Sequence, residues 1–321
     1  MRTLVIGGTT FVGRRIVELF LDGGAHVTVL SRGRRRPPFW PRIEHLAADR
    51  TIPGELGAHL RGRTFDVVVD MVAFEGTHVE TVLSVLRGGI GHYVLMSSGA
   101  VYPDLEPPAT FRPLAEGDAN LALRGDLPYA EGKRACEQVL GAQAGVPYTV
   151  FRPPIIQGPH DPTLRGWFWI QRVADGGPVL VPQRYPAVVW RQAYSGDVAR
   201  AVVAAAGHPR ARKATYNVAM PEVVALEDFV RLVAAALDRP DPVVAVPEPR
   251  LRDAAPWYRP TFARQFLLDI AAIQHDLDLP WTPIDRWVTE TVRWHLQAGL
   301  PPSRGYERRG EEIRLARTWS G

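Results

Sequence analysis

The first thirteen residues, MRTLVIGGTTFVG, constrain the fold more than any other stretch of the chain. Leu4-Val5-Ile6 is a short apolar run that predicts a buried strand, and the glycine-rich turn from Gly7 to Gly13 follows at once. Residues 14–21 then carry apolar side chains three and four apart, which predicts a helix. A strand, such a turn and a helix are typical of a dinucleotide-binding unit, because glycine lets backbone N–H groups approach a pyrophosphate near the helix N-terminus.

Length and composition narrow the class of protein. A chain of 321 residues can form one large domain or two smaller ones. No apolar run approaches the roughly 20 residues needed to span a membrane, and the chain starts directly in its first strand, so we expect no secretory signal. Cys136 is the only cysteine, which excludes an internal disulfide and fits a reducing compartment. We therefore expect a cytoplasmic protein that does not bind a membrane.

The net charge is +4, and nearly all of the positively charged residues are arginines. A basic chain can bind nucleic acid or acidic metabolites. Only residues 32–36 form an arginine cluster, however, so we expect a small-molecule substrate and no nucleic acid. The arginine bias makes the two lysines, Lys133 and Lys213, conspicuous.

Strand and helix patterns alternate through the first half of the chain. Strands separated by helices imply a parallel sheet covered on both faces. After Arg152, prolines and tryptophans interrupt this alternation, which resumes in part near residue 196; a later helix is predicted over residues 262–275. We predict an α/β fold, a Rossmann doubly wound parallel sheet with a smaller, discontinuous substrate-binding lobe. The predicted dinucleotide-binding domain comprises residues 1–152 and 193–220, and the lobe comprises 153–192 and 221–321.

Tyr129 and Lys133 open the predicted helix before the sixth strand, four residues apart and hence on one helix face. An ammonium near a phenol lowers the pKa of the phenol, which can then exchange a proton with an alcohol or ketone. A solvated helix pair is the alternative. The scarcity of lysine favours the first interpretation, because arginine would serve a surface pair equally well.

Ser98 follows the fifth predicted strand, within the sequence Ser97-Ser98-Gly99-Ala100-Val101-Tyr102. Ligands bind at the carboxyl ends of the strands in open α/β sheets. A serine there can donate a hydrogen bond to a substrate oxygen, or it can satisfy the backbone of its own turn.

Together, Gly-Gly-Thr-x-Phe-Val-Gly, Ser-Ser-x-x-Val-Tyr and Tyr-x-x-x-Lys resemble the short-chain dehydrogenase/reductase superfamily, and more narrowly its extended or atypical NAD-dependent epimerase/dehydratase branch. The segments 152–159, 191–198 and 281–287 add to the resemblance, which covers nearly the whole chain. It implies that Tyr129 is the proton donor or acceptor, that Lys133 holds the nicotinamide ribose and tunes Tyr129, and that Ser98 polarises the substrate oxygen.

The resemblance also implies a cofactor site and a substrate site, and no metal. The implied cofactor residues are Gly7, Thr9, Thr10, Phe11, Val12, Gly13, Ser31, Arg32, Asp49, Arg50, Val72, Ala73, Tyr129, Lys133, Pro153 and Ile155. The implied substrate residues are Ser98, Gly99, Ala100 and Arg191. A homodimer is common in this superfamily.

Several positions depart from the branch. Thr10 replaces the middle glycine of the turn. Gly99 and Ala100 occupy the positions of the acidic pair that sugar dehydratases carry, which argues against dehydration. Ile155 stands where sugar-nucleotide enzymes place an asparagine, although Arg191 matches their phosphate-contacting arginine. A nucleotide-sugar substrate is therefore possible but not favoured.

The residues at the end of the second predicted strand indicate which dinucleotide the chain binds. An NAD site normally has an acidic residue there, about twenty residues beyond the turn. This chain has Ser31 and Arg32, and its next acidic residue is Glu44. An arginine suits a 2′-phosphate, so we predict NADP, with NAD as the alternative.

We accordingly expect an NADP-dependent reductase of a small hydroxylated or keto substrate. The alternatives are an epimerase that uses a held NAD(P), and a non-catalytic, cofactor-binding regulatory or RNA-associated protein.

Overall fold

The computed structural model describes residues 1–102, 112–125, 127–184, 189–262 and 266–319. Its main feature is a seven-stranded sheet with the order β11-β6-β5-β4-β1-β2-β3, in which every pair of neighbours is parallel. The strands of the described residues are β1 (Arg2–Ile6), β2 (His26–Ser31), β3 (Glu44–Ala47), β4 (Val67–Asp70), β5 (Tyr93–Met96), β6 (Tyr148–Arg152), β7 (Ile156–Gln157), β8 (Val179–Gln183), β9 (Val189–Trp190), β10 (Ala193–Tyr194), β11 (Ala214–Asn217), β12 (Val224–Ala225) and β13 (Val243–Pro247).

Helices connect and flank these strands. They are α1 (Phe11–Asp22), α2 (Glu55–Leu60), α3 (Gly76–Val85), α4 (Pro128–Ala142), α5 (Trp167–Ala174), α6 (Ser195–Ala205), α7 (Leu226–Ala235), α8 (Glu248–Ala254), α9 (Ala271–Leu277), α10 (Ile284–Gln297) and α11 (Arg309–Trp319). No helix in the described ranges combines the length and the apolar character that crossing a bilayer requires.

The sheet forms because its central strands are apolar on both faces. Every residue of β4 and of β5 is buried. The neighbouring helices bury one face each, as in α1, where Val12, Ile16 and Phe20 are buried. The core between sheet and helices includes Leu140 and the thiol of Cys136 on α4. This arrangement confirms the predicted doubly wound α/β fold.

The chain divides into two compact units. Unit 1 comprises Met1–Ile156, Ser195–Ala219 and Leu268–Trp281, and it contains the sheet. Unit 2 comprises Gln157–Tyr194, Met220–Leu267 and Thr282–Gly321. The functional division into a cofactor domain and a substrate lobe stays a prediction.

Unit 2 has its own core, which contains a buried ion pair. In this core Trp190, Phe229 and Phe262 form a cluster of aromatic rings. Arg172 on α5 donates to both carboxylate oxygens of Glu312 on α11, at 2.9 and 2.6 Å, and both side chains are fully buried. The charged C-terminal segment is thus anchored by burial of a paired carboxylate.

Candidate cofactor and catalytic site

The glycine-rich turn joins β1 to α1 in unit 1. Gly7 has a φ of +90°, which side-chain-bearing residues rarely adopt, and its N–H donates to Leu30 O at 3.0 Å. A methyl group at Gly13 would overlap the carbonyl oxygen of Gly7, so α1 begins in direct backbone contact with the turn. Val72 lies against Gly7 from the loop after β4.

The N-terminus of α1 is suited to an anion. Thr10 is its N-cap, but the threonine side chain makes no capping bond, and the first turn contains no acidic residue. The first N–H groups of a helix have no partner within the helix. Thr9 precedes the cap, Val12 is buried beneath the turn, and Phe11 has a left-handed φ of 45°. The residues present therefore fit a pyrophosphate.

The end of β2 carries no carboxylate, as expected. Ser31 Oγ lies 3.0 Å from Nε2 of His45, a residue of β3. Arg32 is largely exposed, and its guanidinium lies 4.0 Å from Asp49 Oδ2. Bonds from Thr51 are the main cause that lowers the pKa of Asp49. Asp49, in the segment after β3, thus lies close to Ser31 and Arg32. Its carboxylate faces the Arg32 guanidinium.

Arg50 has a different environment from its neighbour Asp49. Its guanidinium is nearly buried, donates to Asp70 Oδ1 at 2.5 Å and to His78 O at 2.9 Å, and so anchors the end of β4. Asp70 also accepts from Tyr93 Oη at 2.8 Å. The role of Arg50 toward a cofactor stays a prediction.

Lys133 is buried at the edge where β4 and β5 end. Its ammonium donates to Ala73 O at 2.7 Å and to Met96 O at 2.8 Å, and only 2% of the residue is exposed. Burial lowers the pKa of Lys133 to about 8. Within the described ranges no carboxylate forms an ion pair with it, so two of its three N–H donors hold backbone carbonyls and one remains for a ligand.

The rings of Tyr129 and Phe74 both lie near this ammonium and near each other. Lys133 Nζ is 4.7 Å from the ring centroid of Phe74 and 5.8 Å from that of Tyr129, and the two rings are 6.2 Å apart. Both rings are nearly half exposed. The structure therefore brings together the predicted pair and adds an aromatic side chain that is open to a ligand.

Gly132 explains why α4 approaches the loop after β4 so closely. A methyl group at this position would overlap the carbonyl oxygen of Phe74. The Phe74 N–H is held by His78 Nδ1 at 3.1 Å. The Phe74 backbone is fixed on both sides, and the Phe74 ring is thus held next to Tyr129.

Ser98 begins a tight turn after β5. Its hydroxyl accepts from the N–H of Ala100 at 3.1 Å, and the N–H of Gly99 donates to Pro153 O at 2.7 Å. The turn-forming role is therefore present. The hydroxyl proton stays available for donation, because Ser98 Oγ acts only as an acceptor in this contact.

Ile155 is half-buried and lies in unit 1, close in sequence to the boundary between the units. Arg191 belongs to unit 2, where its N–H donates to Phe266 O at 3.2 Å. The substrate role of Arg191 stays a prediction, as do the roles of the other site residues.

Sequence reasoning missed two residues of this region, Phe74 and Gly132. A glycine inside a helical pattern was the available signal for Gly132, because it costs helix stability and so marks a close backbone contact. Phe74 had no signal, because a single aromatic residue in a loop is ordinary.

Comparison with known proteins identifies the family. The profile of the NAD dependent epimerase/dehydratase family matches residues 3–219, more than half of the chain. The chain belongs to this family. The match confirms the predicted family, and with it the class of short-chain dehydrogenase/reductase enzymes.

Solved structures of similar fold carry related names. UDP-glucose 4-epimerase from Thermotoga maritima, solved with UDP-glucose, superposes with a TM-score of 0.73 at 17% identity, over 93% of this chain and 99% of that one. UDP-glucose 4-epimerase from Thermus thermophilus, solved with NAD, gives 0.71 at 22% identity over 94% and 100%. At these identities the likeness concerns the fold.

One sequence relative is named for binding a stem-loop and not as an epimerase. The chloroplast stem-loop binding protein of 41 kDa b from Arabidopsis thaliana is 26% identical over 264 residues, or 78% of this chain. The match spans 66% of that relative's length, just under two thirds.

Proposed function

We propose that this protein is an epimerase-type oxidoreductase that inverts one hydroxyl-bearing carbon of a sugar-like substrate while holding a nicotinamide dinucleotide. This is the alternative that the sequence left open beside reduction. The family match and the epimerases among the similar structures support it. The observation that carries the proposal is the buried Lys133 ammonium beside Tyr129, at the strand edge next to the glycine-rich turn.

Each residue of the site has a separate task. The turn from Gly7 to Gly13 and the uncapped start of α1 hold the pyrophosphate. A nicotinamide bound there would supply reversible hydride exchange with the substrate carbon. Lys133 directs its remaining donor toward the ribose and the Tyr129 phenol.

Tyr129 and Ser98 handle the substrate oxygen. Tyr129 acts as the base that takes the hydroxyl proton as the carbon is oxidised to a ketone, and it returns that proton when the carbon is reduced on its other face. The Ser98 hydroxyl donates a hydrogen bond to the same oxygen. The carbon ends in its original oxidation state with inverted configuration, so no external reductant is consumed.

Replacing Tyr129 by phenylalanine tests this proposal. The change removes the proton relay but keeps the ring beside Phe74, so turnover should fall about 10²–10⁴-fold while dinucleotide affinity survives. UDP-glucose, UDP-glucuronic acid and UDP-N-acetylglucosamine serve as probes, with product configuration followed by nuclear magnetic resonance. Equal turnover by Tyr129→Phe and the unmodified protein would assign the chemistry to another residue.

One observation favours NADP-dependent reduction as a second candidate. The end of β2 offers Ser31 and the exposed Arg32 in place of the usual carboxylate, which suits a 2′-phosphate. The solved relatives named with NAD support the other dinucleotide. Net consumption of NADPH with a keto substrate, rather than inversion without consumption, distinguishes reductase from epimerase.

The stem-loop binding relative supports a third candidate, in which the exposed arginines of residues 32–36 contact RNA. Such contact depends on phosphate charge and weakens steeply with salt. A filter-binding titration of an RNA stem-loop at two salt concentrations, with Arg34→Ala/Arg35→Ala as comparison, tests it. Salt-independent or absent binding removes this candidate.

A further inference from the structure

A buried ion pair lies behind the proposed catalytic residues. Glu137 on α4 and Arg152 at the end of β6 have side chains that are 2% and 5% exposed. The guanidinium donates to the Glu137 carboxylate through Nε at 3.1 Å and through Nη2 at 2.5 Å. The pair is therefore desolvated and geometrically fixed, as bidentate arginine–carboxylate pairs are.

Both flanks of Ser98 are tied to this pair. On one side Ser97 Oγ donates to Glu137 Oε1 at 2.5 Å. On the other side Arg152 Nη1 donates to Tyr102 Oη at 3.2 Å, and Tyr102 donates to Asn217 Oδ1 at 2.6 Å. Ser98 and its turn thus lie between two residues that the Glu137–Arg152 pair holds.

The same helix also holds the other catalytic groups. Tyr129, Lys133 and Glu137 follow one another at intervals of four residues, on one face of α4. Lys133 binds the carbonyl of Met96, and Glu137 binds the hydroxyl of Ser97, the next residue in the chain. Two adjacent contacts therefore fix α4 against the end of β5.

We propose that the Glu137–Arg152 pair is a positioning device that sets Ser98 relative to Tyr129 and Lys133, with Ser97 and Tyr102 as its two links. Glu137 and Arg152 act on Ser98 through these links, and Arg152 Nη1 also donates to Glu116 O at 2.7 Å. The inference rests on the proposed function, because it concerns the geometry of that site. Reaction rates are sensitive to such geometry, since a misplacement of about 1 Å can cost a hundredfold.

Two single-atom deletions test the links without leaving a buried charge unpaired. Ser97→Ala removes the first link and Tyr102→Phe the second, and each leaves Glu137 and Arg152 facing one another. The matched control is Thr149→Val, which deletes a buried hydroxyl at the opposite end of β6, where Thr149 Oγ1 donates to Ala211 O at 2.6 Å. If one link variant fails to fold, the other still decides the question.

The readout is single-turnover reduction of bound NAD or NADP with UDP-glucose, UDP-glucuronic acid or UDP-N-acetylglucosamine, followed by the absorbance of reduced nicotinamide. We expect Ser97→Ala and Tyr102→Phe to lower the rate about ten- to a hundredfold, with dinucleotide Kd, substrate KM and thermal midpoint close to those of Thr149→Val. A purely structural role would lower the midpoint and spare the rate.

Two outcomes overturn the inference, and they differ. If the unmodified protein reacts and both link variants react at the rate of Thr149→Val, the positioning role is wrong and the proposed function stands. If the unmodified protein reduces neither dinucleotide with any of the probes, the proposed function fails and the inference fails with it.

Discussion

Each unit of the protein buries a cation in its interior, Lys133 in unit 1 and Arg172 in unit 2, and the two are compensated differently. Arg172 faces the carboxylate of Glu312 and also donates to Phe168 O and Ser303 Oγ. Among the described residues, Lys133 contacts two backbone carbonyls and two ring faces. Burial therefore lowers the pKa of Lys133 to about 8. Removing one partner of a buried ion pair is strongly destabilising, whereas a buried cation with a lowered pKa and no paired carboxylate is a candidate for a functional group.

The largest expected effect concerns Lys133. Lys133→Met removes the ammonium beside Tyr129 that we propose takes part in the reaction, so turnover should fall about 10²–10⁴-fold. Thermal stability should change little, because loss of the burial cost of a charge offsets the loss of two hydrogen bonds. Lys213→Met, at the exposed second lysine, is the control and should retain turnover. If Lys133→Met lowered stability as much as Arg172→Met does, Lys133 would be a structural cation instead.

Arg172→Met is the counterpart in unit 2. It leaves the buried Glu312 carboxylate without its bidentate partner and with Arg309, at 3.1 Å, as its remaining cation, so the free energy of unfolding should fall by up to about 3–5 kcal/mol. Urea denaturation measures this loss. Glu312→Gln in the same chain should recover part of it, because the buried carboxylate that has lost one of its two arginine partners is then neutral. An Arg172→Met protein of normal stability would remove the distinction between the two cations.

The exposed Arg32 supplies a third case, a largely solvated cation 4.0 Å from the Asp49 carboxylate. Arg32→Ala should leave stability nearly unchanged. If the second strand reads a 2′-phosphate, the variant should bind NADP about ten- to a hundredfold more weakly and NAD almost normally, since a charge-assisted hydrogen bond contributes about 1.5–3 kcal/mol. Calorimetric titration of both dinucleotides measures this. Equal losses for the two, or tighter NAD binding by the unmodified chain, would exclude the NADP assignment.

The smallest expected effect is on the pH dependence of the free energy of unfolding. It distinguishes Lys133 from the two arginines. The pKa of Lys133 is lower in the folded state, about 8, than its ordinary value of 10.5, so between these values the unfolded chain binds more protons and stability rises with pH. Between pH ~7.5 and ~9.5 the unmodified protein should gain about 2 kcal/mol relative to Lys133→Met. Turnover should fall over the same range as the ammonium loses its proton. A flat difference between the two proteins would mean that Lys133 is not desolvated.

The sequence predicted the parts of the molecule that local chemistry determines. The turn from Gly7 to Gly13 needs glycine for its φ and its close contacts, and the strands that follow are short apolar runs. Lys133 stands out in the sequence because lysine is rare in this chain. Glu137 carries no such signal, because an acidic residue on a helix ordinarily faces solvent. Its burial depends on Arg152, which the fold brings to it from β6.

The predicted helix over residues 262–275 differs most clearly from the backbone that the structure describes there. Phe262 has a left-handed φ of 65°, and Phe266 and Leu268 form extended bridges with Trp190 and Leu114. The helix α9 begins only after Asp269, whose carboxylate accepts from the N–H of Ala271 at 2.9 Å. The apolar residues there make their contacts from extended backbone. Apolar residues spaced as in a helix do not by themselves distinguish a helix from such a backbone.

The single thiol of the chain can report on the opening of helix α4. Cys136 is fully buried on α4, between the turns that carry Lys133 and Glu137, and burial raises its pKa to about 12. A thiol reagent can react only when α4 leaves the sheet, because the native thiol is both protonated and enclosed. With no other cysteine to label, the rate of alkylation measures how often this one helix opens, in a chain that needs no engineered probe.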